Sequence, residues 1–413
     1  MAVVKPFVCV RPAEDLVSRV AALPYDVYDR KEAGQEVKKN PLSFLAIDRP
    51  DTFFPDTVGS YEPCVYKKAR ELYEERISDG TFLKEEKAAF YLYELTMDGR
   101  SQTGIVACSS VDDYLKNVIK KHENTRAEKE QDRIDHIDAL DAQTGPIFLT
   151  YRPVRRLAEL AELEKQAKPL YDFVSEDGIG HRIWKVENVA VEQEMEQEFA
   201  KLPATYIADG HHRAASAVKV ALKRRKQYPD KGADAEFNFF LSVLFPADEL
   251  MILPYNRVVK DLNGRSPKEF LEEISRDFHV KKLGTEAFAP KRKGSFGMYL
   301  GGSWYELSIK DGLIPEDPVR SLDVSVLQER LLEPVLGIGD VRTDKRIDFV
   351  GGIRGLSELE RRVNGDMQVA FSMYPTSMEE LLSVADAGLL MPPKSTWFEP
   401  KLRSGIFIHQ LKE

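Results

Sequence analysis

Residues 205–215 read Thr205-Tyr206-Ile207-Ala208-Asp209-Gly210-His211-His212-Arg213-Ala214-Ala215: an apolar strand that stops at Asp209, a glycine, and the start of an alanine-rich helix. Ala214, Ala217, Val218, Ala221 and Leu222 fall at helical spacing, so one face of that helix packs closely through small side chains. The first turn of a helix leaves its N–H groups without intrahelical partners and carries a partial positive charge. Here that turn bears His211, His212 and Arg213, and strand, glycine and helix together make an anion site. Arg213 can add paired hydrogen bonds to a phosphate, and Asp209, acceptor-only when ionised, stands beside it. Two plainer readings stand next to this one. Asp209 is a common helix-capping residue. Asp209, His211 and His212 also have the donor chemistry of a metal site, although no matching ligand cluster is visible elsewhere in the sequence.

Outward from this joint the chain alternates. A charged helix is expected over about 126–143, stopped by Gly145-Pro146 and followed by a buried strand at Ile147-Phe148-Leu149-Thr150-Tyr151. A helix over 154–168, a hairpin over 170–186, a helix over 192–201, a strand over 204–208, a helix over 211–228 and a strand over 237–245 complete the middle third. The basic run Lys223-Arg224-Arg225-Lys226 closes one of these helices, where cations suit the C-terminal dipole; a nucleic-acid patch is the alternative. The first third reads as a strand over 5–11, a turn at Pro24, a helix over 62–78, and a hairpin about Asp98-Gly99. Helices are expected near 267–277, 323–332, 356–363 and 377–387 in the last third. The whole is α+β, without internal repeats or low-complexity tracts, and is expected to divide as 1–116, 117–255 and 256–413.

The chain has 413 residues, 43% hydrophobic and 31% charged, which excludes a disordered protein and allows ample core. A net charge of −9 lacks the field that draws proteins to phosphate backbones, so no nucleic-acid partner is expected. The longest greasy segment, 237–245, falls far short of the roughly 20 residues that cross a bilayer. The first twelve residues contain Lys5, Pro6 and Arg11 and make no signal core. Cys9, Cys64 and Cys108 are widely spaced and form neither a disulfide framework nor a C-x-x-C motif. A cytoplasmic protein with reduced thiols and no membrane partner is expected; the sequence sets no oligomeric state.

The Asp-Gly-His-His-Arg motif at 209–213 resembles that of the ParB/sulfiredoxin superfamily, in particular its free-serine kinase branch. More broadly, the chain resembles a prokaryotic family catalogued as "domain of unknown function ten-fifteen", related to that branch. The resemblance covers nearly the whole chain. It includes Ala22-Leu23-Pro24-Tyr25-Asp26-Val27, His122-Glu123, Asp132-Arg133, Gly145-Pro146-Ile147-Phe148 and Met391-Pro392-Pro393-Lys394-Ser395-Thr396-Trp397-Phe398. It implies a ParB/sulfiredoxin-like core at 117–255, embedded in larger mixed N- and C-terminal segments. It also implies a nucleotide-dependent phosphotransferase acting on a small hydroxylated metabolite, with free L-serine the best guess and ADP or ATP with Mg²⁺ as cofactors. A non-enzymatic ParB-like nucleotide sensor or switch is the alternative.

In the serine kinases a glutamate in a Pro-His-Glu segment acts as catalytic base. The similar piece here is His122-Glu123, with Lys121 in place of the proline and a longer gap to Asp209. The resemblance therefore assigns Glu123 as base, Asp209 as metal or hydroxyl partner, and Gly210, His211, His212 and Arg213 to the phosphates. Sulfiredoxins need a cysteine where His211 stands, which excludes their chemistry. ParB proteins add a basic helix-turn-helix, and no convincing one is present. Lys394-Ser395 resembles the end of a P-loop, but Pro393 occupies the required glycine. His122, Lys394, Ser395, Thr396 and Lys401 remain candidates for a substrate or anion loop, beside a tail held down by Trp397 and Phe398. Gly351-Gly352-Ile353-Arg354-Gly355 is a further candidate anion turn, against a plain turn.

Overall fold

Strand pairing gathers the alternating elements into two compact units. The structure, a computed structural model, describes residues 1–412. One unit comprises Met1–Leu250 and the chain from Pro400 onward; the other is Met251–Glu399. Both mix helices with sheets, the α+β class expected from the sequence.

The first unit is built on a nine-stranded mixed sheet. From one edge its strands run Ile119–Lys120, Thr205–Asp209, Ile147–Tyr151, Phe239–Pro246, Arg100–Ser110, Tyr91–Met97, Gly180–Lys185 and Tyr171–Val174, with Val4–Lys5 also paired to Arg100–Ser110. A four-stranded sheet in the same unit joins Phe82–Lys84, Cys9–Pro12, Ile408–Gln410 and Ala142–Gln143. The expected boundary at 116/117 is absent, because Arg100–Ser110 pairs with Phe239–Pro246 from Phe239 to Leu244 and so shares one sheet with the core. Nor does the C-terminal third stay together: Ile408–Gln410 returns to pair with Cys9–Pro12. The 255/256 boundary is close to the observed division after Leu250, although residue 255 begins the strand Tyr255–Val259.

The helix His211–Gln227 lies against this sheet. Ala214, Ala217, Val218 and Ala221 enter one apolar cluster with Ile207, Leu149 and Leu244, as their spacing predicts, whereas Leu222, expected on the same face, is exposed because it falls past the edge of that stripe. A second side, at Val220, meets Ile137 of the helix Ala127–Leu140. That charged helix is shorter than expected. Asp141 adopts a left-handed conformation at φ +53° and ends it, and Ala142–Gln143 turns into a strand. The basic run pairs with acids of its own unit: Lys223 and Arg224 with Asp138, Arg224 with Asp141, and Arg225 with Asp112. These bonds tie three of the four cations to neighbouring acids at the end of the helix.

The second unit is a six-stranded antiparallel sheet in the order Phe278–Gly284, Ser303–Ile309, Ser295–Leu300, Val369–Ser372, Tyr255–Val259 and Ile347–Gly351. The helix Gly355–Gly365 covers it through Leu359, which clusters with Trp304 and Val258. The expected helix over 323–332 is a short α-helix, Asp323–Leu327, passing into a π-turn at Gln328–Leu332. Gly351 and Gly352 serve packing rather than an anion turn. A Cβ on Gly351 would meet the Trp397 ring at 2.9 Å, and one on Gly352 would meet Pro254 at 2.7 Å. The strand over 5–11 is two strands, Val4–Lys5 and Cys9–Pro12, in different sheets. Cys9 and Cys108 are buried and Cys64 is exposed, all as free thiols. Among the described residues no helix is long and apolar enough to cross a membrane.

Candidate functional site

The site forms where two parallel strands run out of the sheet together. Ile119 pairs with Thr205 and Lys120 with Tyr206, an offset of 205 − 119 = 86 residues. The pairing ends at Lys120 and Tyr206, three residues before Glu123 and three before Asp209. On its other side the strand Thr205–Asp209 pairs Ile207 with Leu149 and Asp209 with Phe148, so Ala208 is an extra residue. Such a bulge re-aims the residue that follows it, here Asp209.

Gly210 then takes φ +92° and stands at the helix N-cap without a side-chain cap bond. Asp209 is therefore not the cap. Its Oδ1 accepts the Gly210 N–H at 2.8 Å, and its Oδ2 accepts from Lys401 Nζ at 3.0 Å. Burial alone would raise the Asp209 pKa. The charges of Lys401 and Arg213, with the Lys401 and Gly210 bonds, outweigh that penalty and hold the carboxyl well below the usual carboxylate range. Asp209 is thus a firm anion flanked by two cations.

Arg213 donates from Nη1 to the Pro146 carbonyl at 2.6 Å, which accounts for the Gly145-Pro146 segment beside it. A Cβ on Gly210 would meet the Arg213 guanidinium at 3.1 Å. Gly210→Ala should consequently cost about 1–2 kcal/mol from the left-handed backbone and push Arg213 off its position. Urea unfolding measures the first effect. Anion binding should weaken at a denaturant-free temperature where the variant is still folded.

His211 is buried, and its ring meets His122 edge-on with centroids 4.5 Å apart. Its Nδ1 lies 3.8 Å from Glu123 Oε2, and its Nε2 faces the His122 backbone N–H at 3.5 Å. Burial, then the charges of His122, His212 and Lys121, push the His211 pKa well down against the pull of Asp209. His122 is only 2% exposed, and neither ring nitrogen makes a hydrogen bond of normal geometry. Burial pulls its pKa down to about 4 despite Asp209 and the Ile207 carbonyl. Both rings are therefore neutral at pH 7. His212 Nε2 accepts the Arg126 backbone N–H at 2.9 Å, which assigns its proton to Nδ1. Burial first, then Lys129 and Arg126, lower its pKa as well. The loop over 121–126 is pinned above the helix start by the Thr125–Glu130 and Glu130–Lys219 bonds and by Ser216 Oγ donating to the Glu130 carbonyl.

His122, Glu123, Asp209, Gly210, His211, His212, Arg213 and Lys401 thus lie in the first unit, joined by the contacts above. Lys394, Ser395 and Thr396 belong to the second unit. There Ser395 Oγ donates to the Pro392 carbonyl at 2.5 Å, Thr376 Oγ1 donates to the Ser395 carbonyl, and the Lys394 carbonyl accepts from Arg257. The Ser395 hydroxyl thus closes its own turn.

Sequence reasoning missed a polar cavity in the first unit. A space of about 30 Å³, room for one water, opens beside Arg213 and is lined by Gly145, Thr144, Asp48 and Arg133. A larger space of about 190 Å³ adjoins it and shares Tyr25, Asp48, Arg133 and His136. Tyr25 and Asp132-Arg133 lie in segments that carried the family resemblance without a role. Asp48 had no signal at all.

A profile of the family described as "protein of unknown function (DUF1015)" matches residues 4–325. The chain belongs to this family. No curated protein matches the chain. Among solved structures it is similar to a free serine kinase in complex with AMP, at 16% identity, 74% of this chain, 91% of the other and a TM-score of 0.35. It is also similar to C-terminally truncated SbnI from Staphylococcus aureus, at 12% identity, 75% of this chain, 89% of the other and a TM-score of 0.38. A conserved hypothetical protein from Pyrococcus furiosus matches at 15% identity, 75% of this chain, 95% of the other and a TM-score of 0.35. Similarity at this level leaves the site to be argued from its own residues.

Proposed function

We propose that the chain is a nucleotide-dependent phosphotransferase acting on a small hydroxylated metabolite, with free L-serine as the first acceptor to test. The observation that carries this reading is the meeting of Glu123 with the Asp209–Arg213 loop, both against His211. Phosphoryl transfer needs a carboxylate near the nucleophile, cations on the phosphates and an in-line geometry. Glu123 takes the proton of the acceptor hydroxyl as its oxygen forms the new P–O bond and the bond to the leaving nucleotide breaks. The helix N-terminus and Arg213 hold the phosphates. The neutral His211 and His122 line the floor beside them without adding charge. The donor, ADP or ATP, follows from the family resemblance.

Mg²⁺ takes one or two carboxylates with phosphate oxygens and waters rather than an all-protein cage. Asp209 offers one ionised carboxylate, and among the described residues no group of three His, Cys, Asp or Glu side chains forms a fuller set. Asp209 fits that role if the Lys401 ammonium swings from Oδ2 to the phosphates. When bound, the ion neutralises phosphate charge. Incubation with Mg²⁺, L-serine and either ATP or ADP should yield phosphoserine by mass spectrometry. Calorimetric nucleotide binding without any phosphorylated product would establish the sensor reading instead.

A further inference from the structure

Four carboxylates line the 190 Å³ cavity of the first unit; Asp26 is exposed, and of the three buried ones two are fully engaged. Asp51 receives Arg49 as a fork, Nε and Nη2 each at 3.0 Å, and the Ser60 hydroxyl at 2.9 Å. Asp132 receives Arg133 Nε at 2.9 Å and the Tyr66 hydroxyl at 3.0 Å. Asp48 is different. It is 3% exposed, yet its closest side-chain contact is the Thr144 hydroxyl at 3.4 Å. Arg133, already committed to Asp132 and stacked over the Tyr25 ring, stands 3.8 Å away. His136 stands 3.9 Å away, but its Nε2 contacts the Ile47 carbonyl at 3.0 Å and burial favours the neutral ring. Asp26, which is exposed, and Lys129 also line this cavity. A buried carboxylate without a close cation or a short hydrogen bond is costly, and this one lines both adjoining spaces, the smaller of which reaches Arg213.

We infer that this cavity binds a small alcohol bearing an ammonium group, which Asp48 receives at a shorter distance than its present partners. Tyr25, Tyr28 and Tyr66 supply aromatic walls that favour an organic cation. Among the described residues no metal-ligating group of three side chains forms here, which argues against a bare divalent ion. Asp48 also lines the smaller space, which Arg213 borders, so a ligand held on Asp48 would lie toward the phosphate loop. In that respect the inference rests on the phosphotransferase reading: the ligand would be the phosphoryl acceptor. Its binding to Asp48 does not depend on that reading.

The test is calorimetric titration of the full chain, without nucleotide, with 2-aminoethanol and with ethylene glycol, which has a hydroxyl in place of the ammonium. 2-Aminoethanol should bind at least about tenfold more tightly than ethylene glycol, and Asp48→Asn should weaken it by roughly 10- to 100-fold. The comparison of the two probes on the unaltered chain stands even if the variant fails to fold. Equal binding of both probes, or unchanged 2-aminoethanol binding in folded Asp48→Asn, overturns the inference. Ammonium-dependent binding with no phosphoryl transfer supports it and counts against the phosphotransferase reading alone.

Discussion

Glu123→Gln should lower the rate of phosphoryl transfer by about 10²- to 10⁴-fold, the range associated with a positioned general base. Glutamine keeps the shape of the side chain but cannot accept the proton of the acceptor hydroxyl. Nucleotide affinity should change little, because Glu123 approaches the loop through His211 rather than through the phosphate-binding N–H groups. Asp209→Asn should lower turnover to a similar degree, for another reason. It removes the anion held ionised between Lys401 and Arg213, and with it the carboxylate for Mg²⁺. Lys401, whose side chain is 19% exposed, is then left with its 3.0 Å partner uncharged. Steady-state kinetics with both variants, beside direct nucleotide titrations, separates the two roles. Wild-type rates in both would remove these assignments. Arg213→Ala should instead weaken nucleotide binding, since the guanidinium is the cation nearest the helix start.

Acidification from pH 6.5 to pH 5 should destabilise the first unit by about 3 kcal/mol from His122 and His181 alone, because the slope approaches about 1.36 kcal/mol per unit of pH for each proton only once the unfolded histidines are fully protonated. The sign follows from where each ring takes its proton. An unfolded histidine titrates near 6.5, whereas burial brings His122 down to about 4 and His181 down to about 3. Between those values the unfolded chain binds protons that the native chain refuses, so stability is complete above pH 6.5 and is lost as pH falls. His136, His211 and His212 are lowered too and add to the slope. All five lie in the first unit. Asp323, in the second, has the opposite sign. Burial raises its carboxyl to about 7, so the native state binds a proton there that the unfolded state lacks, and stability is gained as pH falls below 7. Hydrogen exchange followed segment by segment should show protection falling in the first unit between pH 6.5 and 5, after correction for the intrinsic pH dependence of exchange. A flat profile across its central strands would contradict the burial of these neutral rings. His181→Gln should reduce the slope by about one proton.

The joint at 205–215 was legible because its signals are local. An apolar run, a glycine and small residues at helical spacing specify strand, turn and helix before any partner is known. Glu123 was legible only through the family resemblance, and its meeting with His211 follows from a parallel pairing 86 residues out of register along the chain. The expected boundary at 116/117 misled because strand partners are chosen across the chain: Arg100–Ser110 sits between Tyr91–Met97 and Phe239–Pro246. Ser395 read by residue type as a candidate for a substrate or anion loop, and the turn that its hydroxyl closes onto Pro392 was not legible.

The sequence by itself determined the α+β class and the strand–glycine–helix joint at 205–215, since local periodicity needs no third dimension. Tertiary structure decided the rest. It set Lys401 on Asp209 from 192 residues away, placed Pro146 under Arg213, and buried His122 against His211. It also enclosed Asp48 in a cavity with no side-chain partner nearer than the Thr144 hydroxyl at 3.4 Å. Charge and hydrogen-bond partners at that range are fixed by which strands share a sheet. That choice belongs to the packing of the whole unit.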